Sequence, residues 1–339
     1  TMKAIYIAPE GKKRIIKYGE LPKPKPKKGE ALIKVKACAL NHLDLHLTKG
    51  VLDIPLPHIS GSDVSGIIEE INASSKLKIG QEVIVNPAIP CKKCSRCKKG
   101  LSCEIVVIFG YRTSGGFAEY VTVPVEQIYP KPKNLSFVEA AAFPLTFLTA
   151  YHMLVGRAKL QKGETIFIWG ASGGLGSAAI QIAKHIGAKI IVAASSDVDA
   201  KKVKAMGAHH TVNYKKENVV KSVGELTKGE KVDVVLESVG RATWNTTLAM
   251  LRPHGRVVIA GTTSGAVASQ DLSDIYYYQH TILGSRMGTK EEFEDVLKLV
   301  ERDKLKITID RTFPLKDFRR AIKLLSESKQ TGKIVLAIQ

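Results

Sequence analysis

The chain contains no apolar run approaching the roughly 20 residues that a bilayer requires, and its beginning lacks the charged-then-apolar plan of a signal peptide. Both absences argue against a membrane-bound or exported protein, and the expectation is a soluble, cytoplasmic one. There is no internal repeat and no low-complexity segment, which excludes a solenoid. Acidic residues are few beside basic ones, 32 against 51, for a formal charge of +19. Such an excess is how nucleic-acid binders displace counterions from phosphates. Here the lysines are spread along the whole length, and the densest run, PKPKPKKG at 22–29, holds no aromatic ring that could stack on a base. Neither nucleic acid nor membrane is an expected partner. Cysteine is scarce as well: the chain has five, and four of them fall within CKKCSRCKKGLSC at 91–103.

What remains is ordinary globular material. A length of 339 residues at 44% hydrophobic content is enough for two domains, each with its own core. The segments MKAIYIA, ALIKVKACAL, SDVSGIIEEI, GQEVIVN and GFAEYVTVP read as short strands broken by Gly, Pro and Lys clusters, which predicts an irregular β domain over 1–135. The style changes at Ser136. Ser136 and Glu139 stand at capping-box spacing ahead of AAAFPLTFLTAYHMLV, an apolar helical stretch. From there to residue 284 apolar strands alternate with helices, and that alternation predicts a parallel sheet covered on both faces. Residues 285–339 read as helix, strand, helix, strand and are expected to return to the first domain.

The segment TIFIWGASGGLGSAAIQIAKHIGAKIIVAASS sets a glycine-rich turn between an apolar strand and a helix. Ala171, Gly173 and Gly176 occupy the G-x-G-x-x-G positions, with Gly170 just ahead. Small residues there let the backbone approach a pyrophosphate at the positive end of the following helix. The second strand ends in Ala194, Ser195 and Ser196, where an NAD site normally carries Asp or Glu for the ribose 2′-hydroxyl. The acidic selector is absent, and Ser195 and Ser196 with Lys201 or Lys202 nearby are candidates for a 2′-phosphate. Asp197 and Asp199 follow at once, and their charge opposes a phosphate if they point inward. NADP is the expected cofactor.

ALNHLDL, PHISGSDVSG, AAAFPLTFLTAYHML, GASGGLGSAAIQIAK and ILGSRMGT together resemble the medium-chain dehydrogenase/reductase superfamily along the whole chain, within it most closely the quinone oxidoreductase branch that keeps a zinc lobe. The resemblance implies a GroES-like irregular β-barrel domain (1–135, with a structural zinc lobe at 86–110), a Rossmann doubly wound parallel-sheet domain (136–284) and a returning segment (285–339). It extends the cofactor contacts to Ser172, Gly174, Leu175, Val239, Gly261, Thr262 and Ser285. It also implies a homodimer or homotetramer, since the superfamily commonly pairs its nucleotide-binding sheets edge to edge.

Two metal positions follow from the resemblance. In the lobe, Cys91, Cys94, Cys97 and Cys103 supply four thiolates, enough for a closed structural zinc site, although the last interval is shorter than the family's common pattern. A pair of disulfides and four free thiols are the alternatives, and in a cytosolic chain metal fits the clustering better. The catalytic zinc of the alcohol dehydrogenase branch needs Cys, His and Glu where this chain has Asn41, Ser62 and Asp63. Asn and Ser are not useful zinc ligands. The catalytic zinc is therefore expected to be lost. Cys38, three residues earlier, is expected to pack as a small buried hydrophobe.

Without a Lewis acid a conjugated acceptor is the easier substrate, because a quinone or enone spreads the charge that arrives with hydride. The expected function is NADPH-dependent reduction of a quinone or α,β-unsaturated carbonyl. Asn41, Asp44, His46, Ser62 and Asp63 are the pocket candidates, with Asn41 and Ser62 as donors to the acceptor oxygen. The plainer alternative is that these are turn and packing residues left from a vanished metal site. His46 holds the place of the family's proton-relay histidine, but the hydroxyl residue that normally precedes the relay is Leu43 here. Two other functions stay open: an alcohol or aldehyde dehydrogenase recruiting zinc through Asp63 and water, and a non-enzymatic NADPH-binding redox sensor.

Overall fold

A computed structural model describes residues 1–11, 13–99 and 103–339. The chain forms two compact units, the first made of Thr1–Leu145, Thr289–Glu301 and Ile307–Gln339, the second of Thr146–Gly288 and Arg302–Lys306.

The first unit is built on a seven-stranded sheet whose centre is the strand Glu30–Ala39. Its alternation of apolar with lysine positions, ALIKVKACA, buries nearly every apolar side chain. Asp63–Asn72 and Tyr120–Pro124 pair with it antiparallel, and so does the chain's last strand, Lys333–Ala337. The pairing registers matter for the site. Ala39 lies opposite Asp63 on one neighbour and opposite Val335 on the other. Continuing the second register by two residues brings Lys333 opposite Asn41, and the Leu40 amide still donates to Ile334 O at 2.9 Å. The core below holds Phe109, Phe117 and Phe318, the last two edge to face with centroids 5.0 Å apart. Gly61, at φ +103°, is required there: a Cβ would stand 2.8 Å from Cys38 Sγ and 2.9 Å from Phe117.

The second unit holds a six-stranded, wholly parallel sheet in the order His210–Asn213, Lys189–Ala194, Thr165–Ile168, Val232–Glu237, Leu251–Ile259, Thr281–Gly284. In chain order this is 3-2-1-4-5-6, the doubly wound arrangement. Parallel strands cannot be joined by tight turns, so helices such as Gly174–Ile186 and Asp197–Met206 connect them.

The division between units departs from the sequence boundary at 135/136. Ser136 does cap a helix, Phe137–Ala141, with Glu139 returning the bond to the Ser136 amide at 2.8 Å. That helix packs its Ala141 and Phe137 against Ala37, Ala39 and Val335 of the first unit's sheet, and Ser65 Oγ donates to Phe137 O at 2.6 Å. A local cap marks where a helix starts and carries no information about what the helix packs on. The unit boundary therefore falls ten residues later, inside the helix Pro144–Tyr151. Among the described residues no helix is long and apolar enough to cross a membrane.

Candidate functional site

In the second unit the candidate cofactor residues gather at or just beyond the carboxyl ends of the parallel strands. Beyond Thr165–Ile168, Gly170 turns the chain at φ +63° and accepts from the Gly173 amide at 3.1 Å. A Cβ on Gly176 would come within 2.2 Å of Gly170 O and 2.5 Å of Ala171 Cα, so close packing of helix on turn demands glycine there. Gly173 is different. A Cβ on it would meet nothing nearer than Gly170 O at 3.4 Å, so packing does not demand its bareness. Gly173 also caps helix Gly174–Ile186 without any side-chain hydrogen bond, and the first turn carries no acidic residue. The helix start thus presents bare amides suited to an anion. Ser172, Gly174 and Leu175 lie half-buried around the same turn, and Ala171 is buried beneath it.

At the end of the second strand Ala194 is buried, and both following serines bond to one residue, Asp199. Ser195 Oγ donates to Asp199, and Ser196 Oγ accepts from the Asp199 amide at 3.2 Å as the cap of helix Asp197–Met206. Lys201 lies exposed on that helix. The serine pair is therefore not free, and an acidic group does lie beside this strand end, supplied by the helix and not by the strand.

Glu237, at the end of the fourth strand and fully buried, was not singled out from the sequence. Its Oε1 accepts from the amides of Val239 (2.7 Å) and Gly240 (3.0 Å), and its Oε2 from the hydroxyls of Thr243 (2.8 Å) and Thr247 (2.7 Å). Four donors on one carboxylate hold the turn that carries Val239. Gly261 (φ +138°) and Thr262 lie exposed beyond the fifth strand, where a Cβ on Gly261 would stand 3.1 Å from Ser238 O. The Ser285 amide donates to Ile259 O at 2.9 Å, while its buried hydroxyl has no partner among the described residues.

In the first unit the registers described above draw Asn41, Asp63 and Lys333 into one buried cluster. Lys333 Nζ donates to Asn41 Oδ1 at 2.6 Å and to Asp63 Oδ2 at 2.9 Å. Asn41 Nδ2 donates to the same Asp63 Oδ2 at 2.9 Å, and Asp63 Oδ1 accepts from the Leu145 amide at 2.7 Å. Asn41 is also the residue ahead of helix His42–Thr48, and its amide donates to Asp44 Oδ2 at 2.8 Å. Burial pushes the Asp44 carboxyl up to about 7, against the pull of the Asn41 amide and the Lys333 charge. Among the described residues, Asp44 Oδ1 and Ser62 Oγ are buried with no hydrogen-bond partner at bonding distance. His46 is half-buried on the last turn of the helix, outside the hydrogen-bonded cluster. Burial lowers the neighbouring His42, with the charges of His46 and Lys333 adding to the effect. Cys38 is fully buried, and burial raises its thiol well above the ordinary range.

The four lobe cysteines are free thiols whose Sγ atoms lie within 4.8 Å of one another. Tetrahedral zinc–thiolate bonds near 2.3 Å put sulfurs about 3.8 Å apart, so a small contraction would let these four hold the ion. The backbone amides of Glu104 and Cys97 bring the Cys94 thiol down to about 6, which favours the thiolate a metal needs. Residues 100–102, within the lobe expected at 86–110, lie outside the described residues.

Lys333 and Glu237 escaped the sequence reading because each sits in an apolar strand with no motif around it. The available signal was weak: a charge at one end of KIVLA and of VDVVLE, where burial forces it to find a partner.

The family model described as alcohol dehydrogenase GroES-like domain matches residues 27–133, and that described as zinc-binding dehydrogenase matches residues 174–302. The chain is 31% identical to the quinone oxidoreductase of Mus musculus over 99% of this chain and 98% of that one. It is 31% identical to the acryloyl-coenzyme A reductase of Sulfurisphaera tokodaii over 99% of both. A crystal structure of an NAD-dependent alcohol dehydrogenase superposes over 100% of both chains with a TM-score of 0.95 at 37% identity.

Proposed function

Since the chain belongs to the medium-chain dehydrogenase/reductase superfamily of oxidoreductases, we propose that it reduces a conjugated acceptor, a quinone or an α,β-unsaturated carbonyl, with NADPH. The observation that carries this reading is the engagement of Asp63 by Lys333. Of the three side chains at the positions to which the family resemblance assigns a catalytic zinc, Asn41 and Ser62 are poor ligands, and the one carboxylate already neutralises an ammonium 2.9 Å away. The set does not suit a second cation, and an acceptor that disperses charge through conjugation needs none.

NADPH, when bound, supplies the hydride. The chain's residues then act on the substrate. As hydride reaches the conjugated carbon, the electron pair moves to the carbonyl oxygen, which becomes an oxyanion. Among the described residues Ser62 Oγ has no hydrogen-bond partner, and Asn41 Nδ2 uses only one of its two hydrogens within the cluster. Both are suited to donate to that oxygen. In the second unit the bare amides of the Gly173 turn suit the pyrophosphate, and the turn held by Glu237 presents Val239. Relatives named quinone oxidoreductase and acryloyl-coenzyme A reductase share this acceptor chemistry. The four-cysteine lobe is read as a closed, structural zinc site.

Assembly belongs to the same reading. Thr281–Gly284 is the terminal strand of its sheet, Ile282 on it is 42% exposed, and Tyr276 and Tyr277 are each 72% exposed nearby in sequence. An open edge with apolar side chains invites strand pairing with a second copy. Light scattering should find a dimer or a dimer of dimers, and Ile282→Glu should reduce it to a smaller species.

The deciding experiment is NADPH oxidation with a simple quinone and with an enone under strong chelation. Initial rates should persist, and Asn41→Ala or Ser62→Ala should lower kcat by up to about a hundredfold. Immediate loss of activity on adding chelator at a temperature where the fold survives would favour zinc-dependent alcohol chemistry, as would robust turnover of primary alcohols. Tight NADPH binding without turnover of any acceptor would favour a sensor.

A further inference from the structure

We infer that Lys333 is a positioning residue of the substrate pocket: its ammonium decides which way the Asn41 amide faces and makes that amide a stronger donor. The inference rests on the reading of Asn41 as a donor to the acceptor oxygen. An asparagine amide has two nearly equal-shaped ends, and in most settings it can flip between them. Here it cannot. Oδ1 meets an ammonium at 2.6 Å and Nδ2 meets a carboxylate oxygen at 2.9 Å. Reversing the amide would set NH2 against NH3⁺ and a carbonyl oxygen against a carboxylate, two repulsive contacts among groups that are all but buried, with Asn41 6% exposed, Lys333 4% and Asp63 0%.

The same contacts act on the electrons. An ammonium on Oδ1 draws density out of the amide and leaves its N–H bonds more strongly polarised, the usual cooperativity of hydrogen-bond chains at low dielectric. One of those N–H bonds is spent on Asp63. The other has no partner among the described residues. Lys333 therefore presents and sharpens a single N–H from a distance, without touching substrate itself. Asp63 balances its charge, and the Leu145 amide holds the far oxygen of Asp63 so that the carboxylate cannot rotate away.

The test separates positioning from simple charge balance. Lys333→Met alone leaves Asp63 uncompensated and destabilises the fold, so it is paired with Asp63→Asn, which removes both charges and keeps the acceptor for Leu145. In the double variant the new amide at position 63 donates toward Asn41, which favours the reversed Asn41 amide. Thermal stability should recover relative to Lys333→Met, while kcat for NADPH-dependent quinone reduction stays at least tenfold below wild type and KM for NADPH changes less than twofold. A double variant with full kcat would overturn the inference. A second readout does not depend on turnover. With ¹⁵N-labelled asparagine, the Asn41 side-chain signals, assigned by their loss in Asn41→Ala, should in wild type include one hydrogen shifted downfield by the Asp63 carboxylate and protected from solvent exchange. In the double variant that downfield shift and protection should be lost, and unchanged shift and protection would overturn the inference. If the wild-type protein reduces neither quinones nor enones, the functional reading fails and this spectrum alone decides the role of Lys333.

Discussion

Thr247 donates its hydroxyl hydrogen to Glu237 Oε2 at 2.7 Å while its oxygen accepts from the Trp169 indole at 2.8 Å. One side chain so joins the residue before the glycine-rich turn to the carboxylate that shapes the next turn along the sheet. Thr247 is fully buried and Trp169 nearly so, so neither bond has water as a substitute.

Replacing Glu237 with Gln should test that arrangement. The substitution keeps the volume but turns one acceptor into a donor, leaving two of its four donors facing an NH2 group. Each orphaned buried group costs about 1–3 kcal/mol, so a loss on the order of 3 kcal/mol and a fall of several degrees in Tm are expected, together with weaker NADPH binding. Calorimetry and fluorescence titration measure the two effects, and an unchanged Tm would refute the assignment.

Asp44 predicts a particular pH dependence. Its carboxyl sits at about 7 in the folded chain against an ordinary 3.8, so between those values the unfolded chain has released a proton that the folded chain still holds. Stability from this group is complete below about pH 4, falls as pH rises through 7, and is flat beyond, by at most about 4 kcal/mol. Asp44→Asn does not titrate. Denaturant unfolding at pH 4.5 and pH 8 should show a smaller loss of stability with pH in the variant, and parallel profiles would contradict the shift.

Elemental analysis should find close to one zinc per chain, carried by the lobe. Cys94→Ser should lower thermal stability while NADPH affinity stays within about twofold, since a closed four-thiolate site offers no position to substrate. Two zinc ions per chain would contradict the account of Asn41, Ser62 and Asp63.

On the proposed NADPH reading, cofactor choice would rest on a balance between Ala194, which carries no acid, and Asp199, which lies on the helix and binds Ser195. NADPH should bind more tightly than NADH. Asp199→Asn should widen that preference and Ala194→Asp should shift it about tenfold, or about 1.4 kcal/mol, toward NADH. If neither variant moves the ratio of the two affinities, the 2′-phosphate is not read at this strand end.

Much of this molecule is determined locally and was therefore legible in the sequence. The parallel sheet follows from apolar strands alternating with helices, and the nucleotide-type turn from Gly170, Gly173 and Gly176 at one strand-to-helix junction, because dihedral freedom and close approach depend on few neighbouring residues. The thiol cluster follows from four cysteines within thirteen positions, and the family from motifs spread along the chain. Chain order could not say which sheet the capping-box helix after Ser136 would cover, nor that Asp199 would reach back to Ser195. Above all it could not pair Lys333 with Asp63, 270 residues away. That contact exists because Glu30–Ala39 takes Asp63–Asn72 on one side and the final strand on the other, in registers that bring a cation and a carboxylate to the same buried end. Hydrogen-bonded registers between distant strands are set by the packing of the whole sheet, and once both charges were sealed from water, each needed the other as its partner.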